Sequence, residues 1–300
     1  MSEQKYAVGY SIPNEPDYAL TRLGPALDEA AGLGVDYVEL ALYAMDLVAN
    51  GRVLHDRLKR IKALTGGRPF GYTMHGPLGL NLMESAERLP IHKEVLKATL
   101  EVTAELGGVH YVAHSGAVEP DNTEDVETLF RRQRDSLAEV ADFAAEHGIV
   151  IAVENLFGGA HEPPLPSRLA EEVAAIGHPS VSACLDFSHA FLLANRRGVN
   201  FLDEAAALAP LAKHLHIHDS FGKLTTIRSG HRAERLAYGV GDLHLPLGLG
   251  SIPWDALMER CRFPAGVIFI NELAPPYWSD LPEVVANTRA LAAKAQTVAA

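Results

Sequence analysis

Apolar residues along this chain keep two rhythms in turn: short runs of β-formers, and longer stretches with apolar positions three and four apart. The β-rich runs lie at 6–12, 36–42, 70–75, 110–114, 149–155, 181–187, 213–218 and 266–272. After the first run, Leu20, Leu23, Leu27, Ala30 and Ala31 recur at helical spacing until Gly34 supplies a stop. Further helices are predicted over 54–64, over 92–106 with a close at Gly107-Gly108, over 123–147 before Gly148, and over 168–176 and 202–208. The last two start near Pro253 and at Asp280-Leu-Pro-Glu283, the latter spaced as a capping arrangement.

Eight strand–helix alternations with no linker or low-complexity tract predict an α/β fold, a single (β/α)8 TIM barrel over residues 1–300. Run 149–155 is apolar throughout, as a strand covered on both faces should be. A doubly wound open sheet would lead one to look for a glycine-rich first turn, and Pro13-Asn14-Glu15-Pro16 has none.

In a parallel barrel the carboxyl ends of the strands share one mouth, where barrel enzymes carry their chemistry. The polar residues fall there. His75, His114 and Glu154 end strands three to five, Asp186 and His189 end strand six, His216 lies on strand seven, and Glu272 ends strand eight. Asp242 and His244, in the loop after strand seven, complete the ring. A lone buried histidine or aspartate is ordinarily a hydrogen-bonded core or capping residue. Five imidazoles and four carboxylates at one mouth cannot all pair with each other, so the cluster predicts bound cations. Mixed imidazole and carboxylate donors suit zinc or manganese, at one to three ions, better than calcium.

The stretch His214-Leu-His-Ile-His-Asp219 turns three imidazoles to one face, yet one strand position usually reaches a given ion, so His214 and His218 are left out of the ligand set. Glu39 and Asp219 are expected to hydrogen-bond loop backbone or a ligand imidazole, and Asn155 to support the ligands from behind. Trp254 and Trp278 read as core packing and Asn195-Arg196-Arg197 as a surface turn. The basic loop Lys223, Arg228, His231, Arg232, Arg235 reads either as a solvated surface or as a clamp for one phosphate or carboxylate.

Composition narrows the partners. With 48% hydrophobic residues in 300 the chain can bury a large core. Two cysteines, Cys184 and Cys261, are too few for a disulfide framework, and no secretory leader or membrane span is legible, which predicts a cytoplasmic protein with no membrane partner. A net charge of −12 repels polyanions, so nucleic acid is an unfavoured partner.

The stretches HGPLGLNL, AHSG, VENLFGG, CLDFSHAF, HIHD, DLHLPLGLGSI and NEL closely resemble the AP endonuclease family 2, or xylose isomerase-like, barrels, from strand three to strand eight. That family includes endonuclease IV and many sugar isomerases and epimerases. The endonuclease IV resemblance implies that His75, His114, Glu154, Asp186, His189, His216, Asp242, His244 and Glu272 bind three zinc ions. The sugar-epimerase resemblance implies one divalent ion on Glu154, Asp186, His216 and Glu272, with His189 touching substrate. One departure separates the two: endonuclease IV has a Tyr-Leu wedge after its first histidine, and those positions here are Leu78-Gly79.

The sequence therefore predicts a metal-dependent isomerase or epimerase acting on a small carbohydrate or keto-acid substrate through a metal-stabilised enediolate. Glu154 and Glu272 would remove and return the carbon-bound proton on opposite faces, and His189 would orient the oxygen. The alternative is a zinc phosphodiesterase of the endonuclease IV type.

Overall fold

The computed structural model describes residues 6–12, 19–158, 163–224 and 231–298. Eight parallel strands close into a barrel. They are β1 Ala7–Ser11, β2 Tyr37–Ala41, β3 Gly71–His75, β4 Gly108–His114, β5 Val150–Glu154, β6 Val181–Asp186, β7 Ala212–Ile217 and β8 Ile268–Asn271. Each pairs with its neighbours in the chain, and β8 closes the ring on β1 with Gly9 opposite Ile270. The turn Pro13–Pro16 and Arg228 lie outside the described residues.

Helices α1 Leu23–Leu33, α2 His55–Thr65, α3 Leu89–Glu105, α4 Val126–Glu146 and α5 Pro166–Ile176 wrap the first part of the barrel. The second part carries α6 Phe187–Arg197, α7 Phe201–Leu208, α8 Arg232–Tyr238, α9 Trp254–Arg260 and α10 Leu281–Ala292. Their ends follow local chemistry. Gly34 closes α1 in the left-handed conformation at φ 63°, and Asp125 caps α4 by accepting from the Thr128 amide. The buried stripe of α4, including Leu137, Val140, Ala141 and Ala144, recurs at helical spacing and packs into the main core. No helix among the described residues is long and apolar enough to cross a membrane.

The elements depart from the sequence expectation in several places. Strand eight is shorter than 266–272, and Glu272 lies just beyond its end. Strand β6 passes into α6 with no loop between them, and Asn195-Arg196-Arg197 is the last turn of that helix rather than a surface turn. Asp280 does not cap α10: its backbone sits at φ −96°, ψ 2° instead of the extended conformation of a cap, and its carboxylate accepts from Ser279 Oγ at 3.1 Å. A small hairpin, Val48–Ala49 against Arg52–Val53, and helix α8 are additions within barrel loops.

Gly9 shows how tightly the barrel is drawn. A Cβ there would lie 2.1 Å from the Tyr37 carbonyl oxygen and 2.8 Å from Ile270 Cδ1. Gly9→Ala is expected to cost about 3 kcal/mol or more in a urea unfolding curve. Gly32→Ala, in helix α1 with nothing within 4 Å of the added carbon, is expected to gain roughly 0.5–1 kcal/mol. Equal effects of the two would contradict this packing.

Candidate metal centre

The carboxyl ends of the strands deliver the polar side chains to one cavity. Its lining includes His75, His114, Glu154, His189, Asp242, His244 and Glu272, with apolar walls at Ile12, Leu156, Phe157, Leu273 and Pro275. Asp186 and His216 lie fully buried next to it. All nine positions marked in the sequence thus converge.

They fall into three groups that share carboxylates. His75 Nε2 and His114 Nε2 stand 3.4 and 3.5 Å from Glu154 Oε2. His216 Nδ1 is 3.0 Å from the other oxygen of Glu154, 3.5 Å from Glu272 Oε2 and 3.8 Å from Asp186 Oδ2. His189 Nε2 and His244 Nε2 stand 3.4 and 2.7 Å from Asp242 Oδ2.

Backbone carbonyls fix the tautomers. A carbonyl can only accept, so His75 Nδ1–H donates to Gly76 O at 2.9 Å and His114 Nδ1–H to Leu78 O at 3.1 Å. His189 Nδ1–H donates to Asn155 O at 3.0 Å and His244 Nδ1–H to Glu272 O at 2.9 Å. In neutral rings this leaves four Nε2 lone pairs, each aimed at a carboxylate. Two acceptors face each other stably only with a cation between them, whether a proton or a metal ion. Glu154 Oε2 is buried without a hydrogen-bond partner. These donors fit divalent ions, and ligand atoms of His75, His114 and Glu154, among other triplets, lie within 4.8 Å of one another.

Without metal, protons take that place. Burial opposes charge on His75, but the Glu154 carboxylate, reinforced by Glu272 and Glu39, lifts it to about 9. The Asp242 carboxylate likewise overrides burial at His244 and lifts it to about 9. His114 goes the other way, to about 4, because burial dominates and the neighbouring His75 and His189 oppose its charge. Burial pushes Glu154 up, yet His216, His189 and His75 together hold it well below the usual carboxylate range. The carboxylate is therefore ionised, the form in which a base or a ligand acts.

Supporting residues surround this set. Asn155 Oδ1 accepts from the Asp186 amide and its Nδ2 donates to the Asp186 carbonyl, each at 2.9 Å. Asp186 also caps α6, accepting from the His189 amide at 2.8 Å. Asp219 accepts from the amides of Gly248 and Ile252 and from Trp254 Nε1, which fastens the loop rather than the cavity. Trp278 packs edge-on against Tyr10 at 5.7 Å.

The sequence reading leaves His218 out, and the structure brings it against Asp186 and His244 of the nine. It is fully buried, with Nε2 2.9 Å from Asp186 Oδ2 and its ring stacked on His244 at 4.0 Å. Same-face positions on a strand are roughly 6.6 Å apart. With several groups of ligands along the mouth, one strand therefore reaches two of them. His214 instead lies deeper, between Glu39 and His110.

The basic loop is partly engaged elsewhere. Arg232 donates to Leu243 O at 2.7 Å and lies over the Tyr277 ring at 5.0 Å. Leu78 stands half exposed at the cavity rim.

Fold and site together define a (β/α)8 barrel whose mouth gathers a mixed imidazole and carboxylate cluster. The pattern of the xylose isomerase-like TIM barrel family matches residues 27–289, and the chain belongs to that family. Among curated relatives, the probable endonuclease 4 of Mycobacterium ulcerans (strain Agy99) is 27% identical over 195 residues, covering 63% of this chain and 68% of the relative. Among solved structures, a D-tagatose 3-epimerase-like protein aligns with a TM-score of 0.70 at 18% identity, over 95% of this chain and 97% of that one. The IolI protein with a bound zinc atom aligns at 0.68 and 18%, over 97% and 100%. At these identities the structural likeness establishes a shared fold.

Proposed function

We propose that the protein is a divalent-metal-dependent isomerase or epimerase acting on a small sugar or keto-polyol. The observation that carries this is the cavity itself. It holds about 310 Å³, at the lower end of the roughly 300–1,000 Å³ typical of small-molecule sites, with Glu154 and Glu272 both in its wall. It is sized for one small polyol.

The proposed ligands are His75, His114, Glu154, Asp186, His189, His216, Asp242, His244 and Glu272, with one ion on Glu154, Asp186, His216 and Glu272 and room for two more. Such an ion, when bound, polarises a carbonyl and acidifies the neighbouring carbon-bound proton. Glu154 and Glu272 both face His216 Nδ1, at 3.0 and 3.5 Å, and are assigned removal and return of that proton. His189 is held by Asn155 O through Nδ1, which turns its Nε2 toward Asp242 and the cavity, where it is assigned to orient a substrate oxygen. The apolar walls exclude water from the exchanging carbon.

A second reading, a zinc phosphodiesterase, is favoured by the division of the ligands into three groups and by the endonuclease 4 relatives. Against it stand a lone leucine followed by glycine at the rim, and the net charge of −12. The test is paired. Zinc- or manganese-loaded protein in D2O with ketopentoses, ketohexoses and their phosphates is expected to wash deuterium into one carbon position of a substrate. Duplex DNA containing an abasic site is expected to stay intact. Metal-dependent nicking without any deuterium wash-in would reverse the ranking.

A further inference from the structure

Behind the mouth the barrel interior carries a carboxylate with no place in the proposed chemistry. Glu39, on β2, is fully buried and touches four side chains from three other strands. Its Oε1 accepts from Ser11 Oγ at 2.6 Å and lies 3.3 Å from His216 Nε2. Its Oε2 accepts from Thr73 Oγ1 at 3.1 Å and lies 3.1 Å from His214 Nε2. A carboxylate in such surroundings is costly to bury, and two hydroxyls alone do not compensate its charge.

The geometry points to Glu39 as the positioning residue that fixes the tautomer of His216. The inference rests on the reading of the mouth as a metal centre. His216 is the exception among the five imidazoles, because it turns Nδ1 rather than Nε2 toward the carboxylates of the mouth. No backbone carbonyl holds its remaining nitrogen as one does in the other four of the nine-residue set, and His218 beside that set likewise lacks one at Nδ1. At His216, Glu39 acts through its charge rather than through a formed hydrogen bond: an anion 3.3 Å from Nε2 favours the proton there, leaving the Nδ1 lone pair for an ion shared with Glu154, Asp186 and Glu272. The negative charge also makes the ring a stronger donor to a cation than a carbonyl partner would.

The opposite oxygen serves His214 in the same sense. The Glu39 charge 3.1 Å from His214 Nε2 favours the proton on that nitrogen, which leaves Nδ1 as acceptor to His110 Nδ1–H, 3.2 Å away. Proton donors then converge on Glu39 from both sides, from His110 and His214 below and from His216 at the mouth. A purely structural role would require only that Glu39 tie β1, β3 and β7 together, and it makes no demand on which nitrogen of His216 bears hydrogen.

The experiment uses the full chain with zinc alone, and three proteins: wild type, Glu39→Gln and Thr73→Val. Glu39→Gln keeps the shape and an accepting oxygen but loses the charge, and its zinc affinity, read by chelator competition, is expected to fall roughly 10–100-fold. Thr73→Val removes a hydrogen bond from the same carboxylate without touching an imidazole, so zinc affinity should stay within about threefold even if melting temperature drops. Nitrogen-15 spectra of histidine-labelled wild type loaded with zinc should show His216 protonated at Nε2 and bound through Nδ1. The spectrum tests the inference even if Glu39→Gln does not fold. Protonation at Nδ1, or unchanged affinity in Glu39→Gln, overturns it while leaving the metal centre standing. A wild type that takes up no zinc in the same titration overturns the metal reading instead.

Discussion

Glu154→Gln is expected to lose bound metal and to lower turnover on the order of 10³-fold or more, because one carboxylate serves several tasks. Its Oε2 faces His75 and His114, and its Oε1 faces His216 and His189 at 3.0 and 3.3 Å. Glutamine offers one neutral acceptor in place of two charged ones, so both groups of ligands lose their common anion. The change also reaches the metal-free protein: Glu154 is the foremost group raising His75, so that imidazole should titrate well below about 9 in the variant. Elemental analysis of wild type is expected to show bound zinc or manganese, and the variant should show little. A variant with full metal content and more than a tenth of wild-type turnover would sink the assignment of Glu154 to both ligand and base.

Asp242→Asn and His114→Asn should behave differently. Both residues belong to the flanking groups, Asp242 with His189 and His244, and His114 with His75. If the ion on Glu154, Asp186, His216 and Glu272 suffices, each variant keeps one tightly bound metal per chain and still exchanges the substrate's carbon-bound proton with solvent deuterium. The loss should then appear mainly in KM, where interactions uniform to ground and transition state register. Loss of all activity in both variants, together with metal from a multi-ion site, would mean that the three groups work as one unit. Hydrolysis would then be the better reading.

Much of this was legible because the barrel repeats one simple rule eight times. Strand ends point to one mouth, so residues such as His75, Glu154 and Asp186 could be placed there from their position in apolar runs alone. What escaped depended on distances that periodicity does not encode. His218 lies outside the sequence reading because how many polar groups the mouth gathers is a three-dimensional fact. Helix α6 was hidden by Asp186, which ends a strand and caps a helix at once, leaving no loop signal between them. At Asp280 the residue types of a cap are present, but the preceding 3-10 turn Pro275–Asp280 holds the backbone outside capping geometry. For Glu39 the residues predict a hydrogen bond to loop backbone or to an imidazole, whereas its depth in the barrel, opposite Thr73 and Ser11, is set by strand register.

The polar column within the barrel, from His110 through His214 and Glu39 to His216, has a consequence for supply. An interior occupied by polar side chains contributes less apolar burial than aliphatic layers would, so the native state depends more on what its mouth holds. An ion that binds only the folded chain stabilises it by about 2.7 kcal/mol at a hundred times its dissociation constant. Such a margin is a large share of the 5–15 kcal/mol typical of a native domain. Chains made when metal is scarce would populate the unfolded state more often and meet proteases sooner. Metal availability would then set how much of the protein persists, as well as how much of it is active.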